Sequence, residues 1–336
     1  MSFLTSYALR LKRKRLKYRA FRKRRELRVR RDCTAAIKPS DILLFCTLRN
    51  EDVRLPYFLD YYRKLGVDHF LMVDNGSTDG GDAYLAAQPD VSLWSTDAPY
   101  SAARYGMDWL TYLQWRYGHG HWCLTVDVDE LFVYPFCDTR PLAALADWLD
   151  ASDLRSFGAM MLDLYPKGPV KDAVYARGAD PVKSADWFDS GNYTISSNAR
   201  MRNLWIQGGP RARAFFADRP ELAPALNKVP FVKWRRRYAY ASSTHMVLPR
   251  GLNLVYDQQG GEKASGILLH TKFINTFADR AEDEAKRAEH YATGREYQRY
   301  AEETDQPVVL WNRWSVQYLN WRQLEGLGLM SKGNWA

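Results

Sequence analysis

The sequence predicts an α/β fold built on a parallel, doubly wound sheet. Two observations carry that prediction. Short apolar, strand-forming runs alternate with helical patterns four times between residues 41 and 133, as expected when strands cross over through helices. Each run also ends in a polar cluster, at residues 49–51, 74–79, 97–104 and 127–130. In open α/β sheets, ligands bind beyond the carboxyl ends of the strands. Four such clusters in series therefore predict one acidic, hydrogen-bond-rich crevice along one sheet edge.

Taken in order, residues 41–47 read as the first buried strand. A helix over 55–65 carries Pro56 in its first turn, where a missing N–H is harmless, and Gly66 as its stop. Residues 69–73 form the second strand, 82–88 a short helix, 91–95 the third strand and 102–117 another helix. The fourth strand starts at Trp122, leads into Asp127, Asp129 and Glu130, and is followed by a second apolar run to Val133. Carboxylates at the end of a buried strand are expensive unless a cation neutralises them. Strand alternation predicts Asp127 and Asp129 on the same side, where two oxygens can close on a hard divalent ion while Glu130 braces the turn.

Charge is unevenly placed. The 336 residues carry a formal net charge of +9. Residues 1–31 hold fourteen basic residues against one acid, Glu26, so this segment alone is +13 and the remaining 305 residues net −4. Its bases interleave with Leu4, Tyr7, Leu11, Leu16, Tyr18, Phe21 and Leu27. An interfacial helix on an anionic membrane surface is the expected role. A nucleic-acid arm and a solvated tail are the alternatives, and nucleic acid is not the expected partner. Cys33, Cys46, Cys123 and Cys137 form no C-x-x-C pair and read as free thiols of a reducing compartment. No apolar stretch approaches the roughly 18 residues of a spanning helix. The expected location is cytoplasmic, peripheral on the inner face of the cytoplasmic membrane. The chain has neither a G-x-G-x-x-G after its first strand nor a P-loop, which excludes the two glycine-cradled nucleotide sites.

Three segments taken together resemble motifs of the family 2 glycosyltransferases. They are Thr47-Leu48-Arg49-Asn50-Glu51, Val73-Asp74-Asn75-Gly76-Ser77-Thr78-Asp79-Gly80 and Val126-Asp127-Val128-Asp129-Glu130. The resemblance covers residues 41–135 and implies the GT-A fold, a Rossmann-like, doubly wound, mostly parallel sheet. It further implies a nucleotide-sugar site formed by Arg49, Asn50, Glu51, Asp74, Asn75, Ser77, Arg104 and Asp127. Within that site Asn50 and Glu51 would line the nucleoside pocket and Asp74 would contact the base, commonly uracil. Arg104 lies in Ala103-Arg104-Tyr105-Gly106, where the family has Asn in place of Tyr105. Asp127 would face the ribose and a Mn²⁺ or Mg²⁺ ion, and Asp129 would bind that ion directly. Many GT-A enzymes complete the metal site with a late histidine, for which His270 and His245 are the candidates. The Gln-x-x-Arg-Trp of processive synthases is absent, which implies single additions.

The expected organisation is a basic amphipathic segment over 1–35 and a transferase domain over 36–275, with a nucleotide-binding half at 41–135 and an acceptor half at 136–275. A C-terminal helical region over 276–336, including a charged helix at 279–304, would pack on it. Asp163, inside the apolar run 156–164, is either a paired buried carboxylate or a general base of raised pKa. Residues 167–215 lack periodicity and are expected to form a long acceptor-binding excursion. That stretch holds Asp189 as the second base candidate, with Asp186, Trp187 and Phe188 beside it. Arg211 and Arg213 could meet a diphosphate or simply line a turn.

The resulting expectation is a metal-dependent, hexosyltransferase-like enzyme, inverting if Asp163 or Asp189 is its base. It would move a sugar from a UDP-linked donor to a glycan or lipid-linked acceptor in cell-surface polysaccharide biosynthesis. The alternatives are nucleotidyl transfer onto a sugar phosphate, and a non-enzymatic membrane- or nucleic-acid-binding protein led by residues 1–31.

Overall fold

The structure, a computed structural model, describes residues 3–256, 262–277 and 307–335. The strands are β1 Arg28–Arg31, β2 Leu43–Leu48, β3 His69–Asp74, β4 Val91–Ser95, β5 Trp122–Thr125, β6 Glu130–Val133, β7 Ser156–Asp163, β8 Trp187–Asp189, β9 Tyr193–Asn198, β10 Asn203–Gly208, β11 Asn227–Lys233, β12 Ala239–Ser242, β13 Met246–Leu248, β14 Gly266–His270 and β15 Ser315–Gln317. The helices are α1 Phe3–Lys23, α2 Leu55–Leu65, α3 Gly81–Ala86, α4 Met107–Tyr117, α5 Leu142–Ala151, α6 Pro181–Ser184, α7 Gly209–Phe215 and α8 Trp321–Gly326.

Nine strands build one sheet in the order β1-β4-β3-β2-β5-β11-β7-β14-β6. Strands β2 to β5 are mutually parallel, as expected. The basic segment adds β1 antiparallel to β4, and β11 inserts antiparallel between β5 and β7. The strand after the Asp-x-Asp, β6, pairs antiparallel with β14 at the far end of the order. The fold is therefore mixed α/β, with six of nine strands sharing a direction. Both faces of the parallel half are covered, because successive strand side chains alternate between them. Leu44 and Cys46 pack with Phe58, Leu59 and Tyr62 of α2 and Leu145 of α5. Leu43 and Phe45 pack with Trp109, Leu110 and Leu113 of α4.

Three local expectations change. The helix expected from residue 102 begins only at Met107, because Arg104, Tyr105 and Gly106 have φ of 55°, 58° and 75°. Gly106 is required there, since a Cβ would lie 2.7 Å from Thr47 Oγ1. Residues 167–215 are an ordered excursion, with α6, the β9–β10 hairpin and α7. Finally, the basic segment is docked on the body: Leu9, Leu16 and Ala20 of α1 are buried, with Leu9 and Leu16 against Met201, Ala239 and Leu248. Arg19 of α1 donates to Asp108 of α4 at 3.0 Å, and Trp109 Nε1 donates to Glu26 at 2.9 Å.

Trp335 stacks on Tyr134 and Trp148, and Trp321 packs on Phe136, so the C-terminal tryptophans cap the domain, apart from the exposed Trp314. The helix expected over 279–304 lies outside the described residues. All four cysteines are free thiols. Among the described residues, no helix is long and apolar enough to cross a membrane.

The docking of α1 makes a direct prediction. Leu16→Ala, at a buried position, should cost about 2–4 kcal/mol in urea unfolding. Tyr18→Ala, on the exposed side of the same turn, should change stability by less than ~0.5 kcal/mol.

Candidate functional site

From β2 the chain moves to β3 and β4 on one side, whereas β5 pairs on the other side of β2. That reversal makes a topological switch point at the paired strands β2 and β5, beyond whose carboxyl ends open α/β folds place ligands. The loops after β2 and β3 are laced together at this point. Arg49 Nη1 donates to Asn75 O at 3.1 Å, Asn50 N to Ser77 Oγ at 2.9 Å, and Thr78 N to Asn50 Oδ1 at 2.8 Å. Asn50 has φ 50°, a left-handed conformation that asparagine tolerates better than most residues.

The buried Asp74 carboxylate accepts from Ser77 Oγ and from the Gly76 and Ser77 amides. Asn75 Nδ2 donates to the Thr96 and Ala98 carbonyls at 3.1 and 3.0 Å, and Arg54 donates to Glu51 at 3.1 Å. The residues implied for the nucleoside are thus together, and their hydrogen bonds set the loop shape. Arg104 is paired with Asp108 at 3.2 Å and donates to Tyr240 O at 2.9 Å, inside the third loop.

The fourth loop corrects the alternation argument. The strand ends at Thr125, and residues 126–129 form a turn, so Asp127 and Asp129 enter different surroundings. Asp127 is exposed and Glu130 is buried, yet both accept from Lys228 Nζ of β11, Asp127 at 3.2 Å. Burial pulls the Lys228 ammonium down, but Glu130 and Asp127 outweigh it and keep it protonated. Burial pushes the Glu130 carboxyl up against the pull of Lys228. The buried Cys46 thiol beneath is driven well up, first by burial and then by Asp127, Glu51, Glu130 and Asp129. These four carboxylates therefore share one field at the end of β2.

Asp129 meets a second cation. His270, at the end of β14, lies with Nε2 3.3 Å from Asp129 Oδ2 and Nδ1 2.6 Å from Asp163 Oδ1. Arg211 Nε of α7 donates to the other Asp163 oxygen at 2.8 Å. Burial works against an imidazolium here, but Asp129 and Asp163 raise the His270 pKa to about 9. Burial likewise opposes ionisation of Asp163, yet Arg211 and His270 hold its carboxyl below the usual range. Asp163 is consequently a paired buried carboxylate, and the expectation of a raised pKa is corrected. Asp189 is engaged too, accepting from Arg213 at 2.9 and 3.0 Å and from Tyr165 Oη. Arg211 and Arg213 thus hold these carboxylates in ion pairs. His245 is set apart from Asp129 by its partners: its Nδ1 donates to Asn227 O at 2.7 Å, and its ring lies against Trp205. Burial, then Lys228, keeps it neutral with a pKa near 4.

Among the described residues, no three His, Cys, Asp or Glu groups converge as a closed metal cage. What the structure brings together at this point is one carboxylate and one imidazole, Asp129 Oδ2 facing His270 Nε2. Asp163 on Nδ1 orients the His270 imidazole and turns Nε2 toward Asp129. Lys228 was missed from sequence. Its signal was a buried-strand lysine at the head of the apolar run 229–232 of β11, the counterpart of Asp163 at the end of β7. In comparisons with known proteins, the chain matches no family model and no curated protein.

Lys228→Met leaves Glu130 buried beside Asp127 without its cation and should cost about 3–5 kcal/mol in urea unfolding. Adding Glu130→Gln should recover a substantial part of that loss.

Proposed function

We propose that this chain is a GT-A-type glycosyltransferase, moving one sugar at a time from a UDP-linked donor to a glycan or lipid-linked acceptor in surface-glycan assembly. One observation carries the reading: the three motif-bearing loops lie at the carboxyl ends of adjacent parallel strands, around the switch point at β2 and β5. The interlaced loops after β2 and β3 would take the nucleoside. Asp129 and His270 would hold Mn²⁺ or Mg²⁺, and that ion would supply charge neutralisation to the departing diphosphate. Lys228 offsets part of the charge of Asp127 and Glu130, which lowers their repulsion of an anionic donor. Asp163 orients His270 and is itself braced by Arg211. The acceptor side falls to the second half of the chain.

Release of nucleoside diphosphate from a panel of UDP- and GDP-sugars with Mn²⁺ tests the proposal. Asp129→Ala should lower turnover at least ~100-fold in a protein that stays folded. Asp163→Asn, a positioning change, should weaken Mn²⁺ affinity about 10- to 100-fold. Unchanged turnover in Asp129→Ala would remove that residue from the reaction, and pyrophosphate as the product would redirect the reading to nucleotidyl transfer.

A further inference from the structure

Helix α1 is apolar on two opposite sides. Leu9, Leu16 and Ala20 face the body and are buried. Turning 100° per residue from them brings Leu4, Tyr7, Leu11 and Tyr18 together in one stripe on the far side. These four are 74%, 52%, 47% and 63% exposed, and among the described residues nothing buries them. Lys14, Arg15 and Arg22 lie along the same stripe and are exposed as well. The helix, FLTSYALRLKRKRLKYRAFRK, contains no Asp or Glu.

A soluble surface helix turns its apolar stripe inward and its charges outward. α1 instead shows solvent an apolar stripe set among cations, which is the composition of a helix lying in a membrane interface. We propose that the outward face of α1 is a docking surface for an anionic lipid bilayer, with Leu4, Tyr7, Leu11 and Tyr18 entering the headgroup layer and the flanking bases meeting lipid phosphates. This inference does not depend on the transferase reading.

Neighbouring charge reinforces it. Burial, then Arg104 and Arg200, lowers the Lys12 pKa, and burial, then Arg237 and Arg10, lowers that of Arg13. Arg104, Arg200 and Arg237 therefore stand beside the body-side flanks of α1 and add to the positive field around the helix, while Lys14, Arg15 and Arg22 supply the cations of the outward stripe. A second copy of the same face would set cation against cation. A nucleic acid would use the bases and tyrosines but leave Leu4 and Leu11 in water. An anionic bilayer accommodates both sets of residues.

The test is co-sedimentation of the full chain with phosphatidylcholine vesicles, with and without about 30% phosphatidylglycerol, at about 0.15 M salt. Binding is expected only with the anionic lipid. Leu4→Ser/Tyr7→Ser/Leu11→Ser/Tyr18→Ser should weaken it at least about ten-fold without lowering the melting temperature, since all four side chains are exposed. Lys14→Gln/Arg15→Gln/Arg22→Gln should weaken binding by a comparable factor. Unaltered binding by the serine variant would overturn the proposal. So would equal binding to neutral vesicles, RNA binding that survives the serine changes and matches lipid binding, or a lipid-free dimer that those changes dissociate.

Discussion

Like charges crowded into a low-dielectric site raise one another's energy. The carboxyl ends of this sheet gather Asp127, Asp129, Glu130 and Asp163, and the rest of the architecture answers that crowding. Lys228 enters from β11, His270 from β14 and Arg211 from α7, each between or beside carboxylates. All three cations come from beyond residue 200, whereas all four acids lie between residues 127 and 163. The acids at residues 127–130 therefore take their counter-charges from later in the chain, and the mixed sheet brings the two together.

This arrangement grades the acids by role. Glu130 is buried under Lys228 and belongs to the scaffold. Asp127 shares the same ammonium but keeps an exposed side chain. Asp129 alone has a histidine across from it whose other nitrogen is held by a carboxylate. The chain Asp129–His270–Asp163–Arg211 alternates sign at each step, so a change at its buried end reaches the solvent-facing end through hydrogen bonds.

The parallel strands and the polar strand ends were legible in the sequence because each depends on local periodicity and turn chemistry, whereas the strand order was not. Asp74 and Asn50 were legible as a cluster for the same reason, although the hydrogen bonds that join their loops were not. What escaped reading depends on partners far along the chain. His270 meets Asp163 across 107 residues, and Lys228 meets Glu130 across 98. A buried charge in an apolar run announces that it needs a partner, but the sequence does not say which. The docking of α1 was hidden differently: two opposite apolar faces on one helix blur each other's periodicity and mimic a featureless basic tail.

The account stands or falls on where a nucleotide and its ion settle. Crystals soaked with UDP and Mn²⁺, measured at the manganese absorption edge, would locate both. The account predicts an anomalous peak within coordinating reach of Asp129 Oδ2 and His270 Nε2, with the diphosphate beyond the carboxyl ends of β2 and β5. Manganese bound away from that pair, or a nucleotide seated at another edge of the sheet, would contradict it.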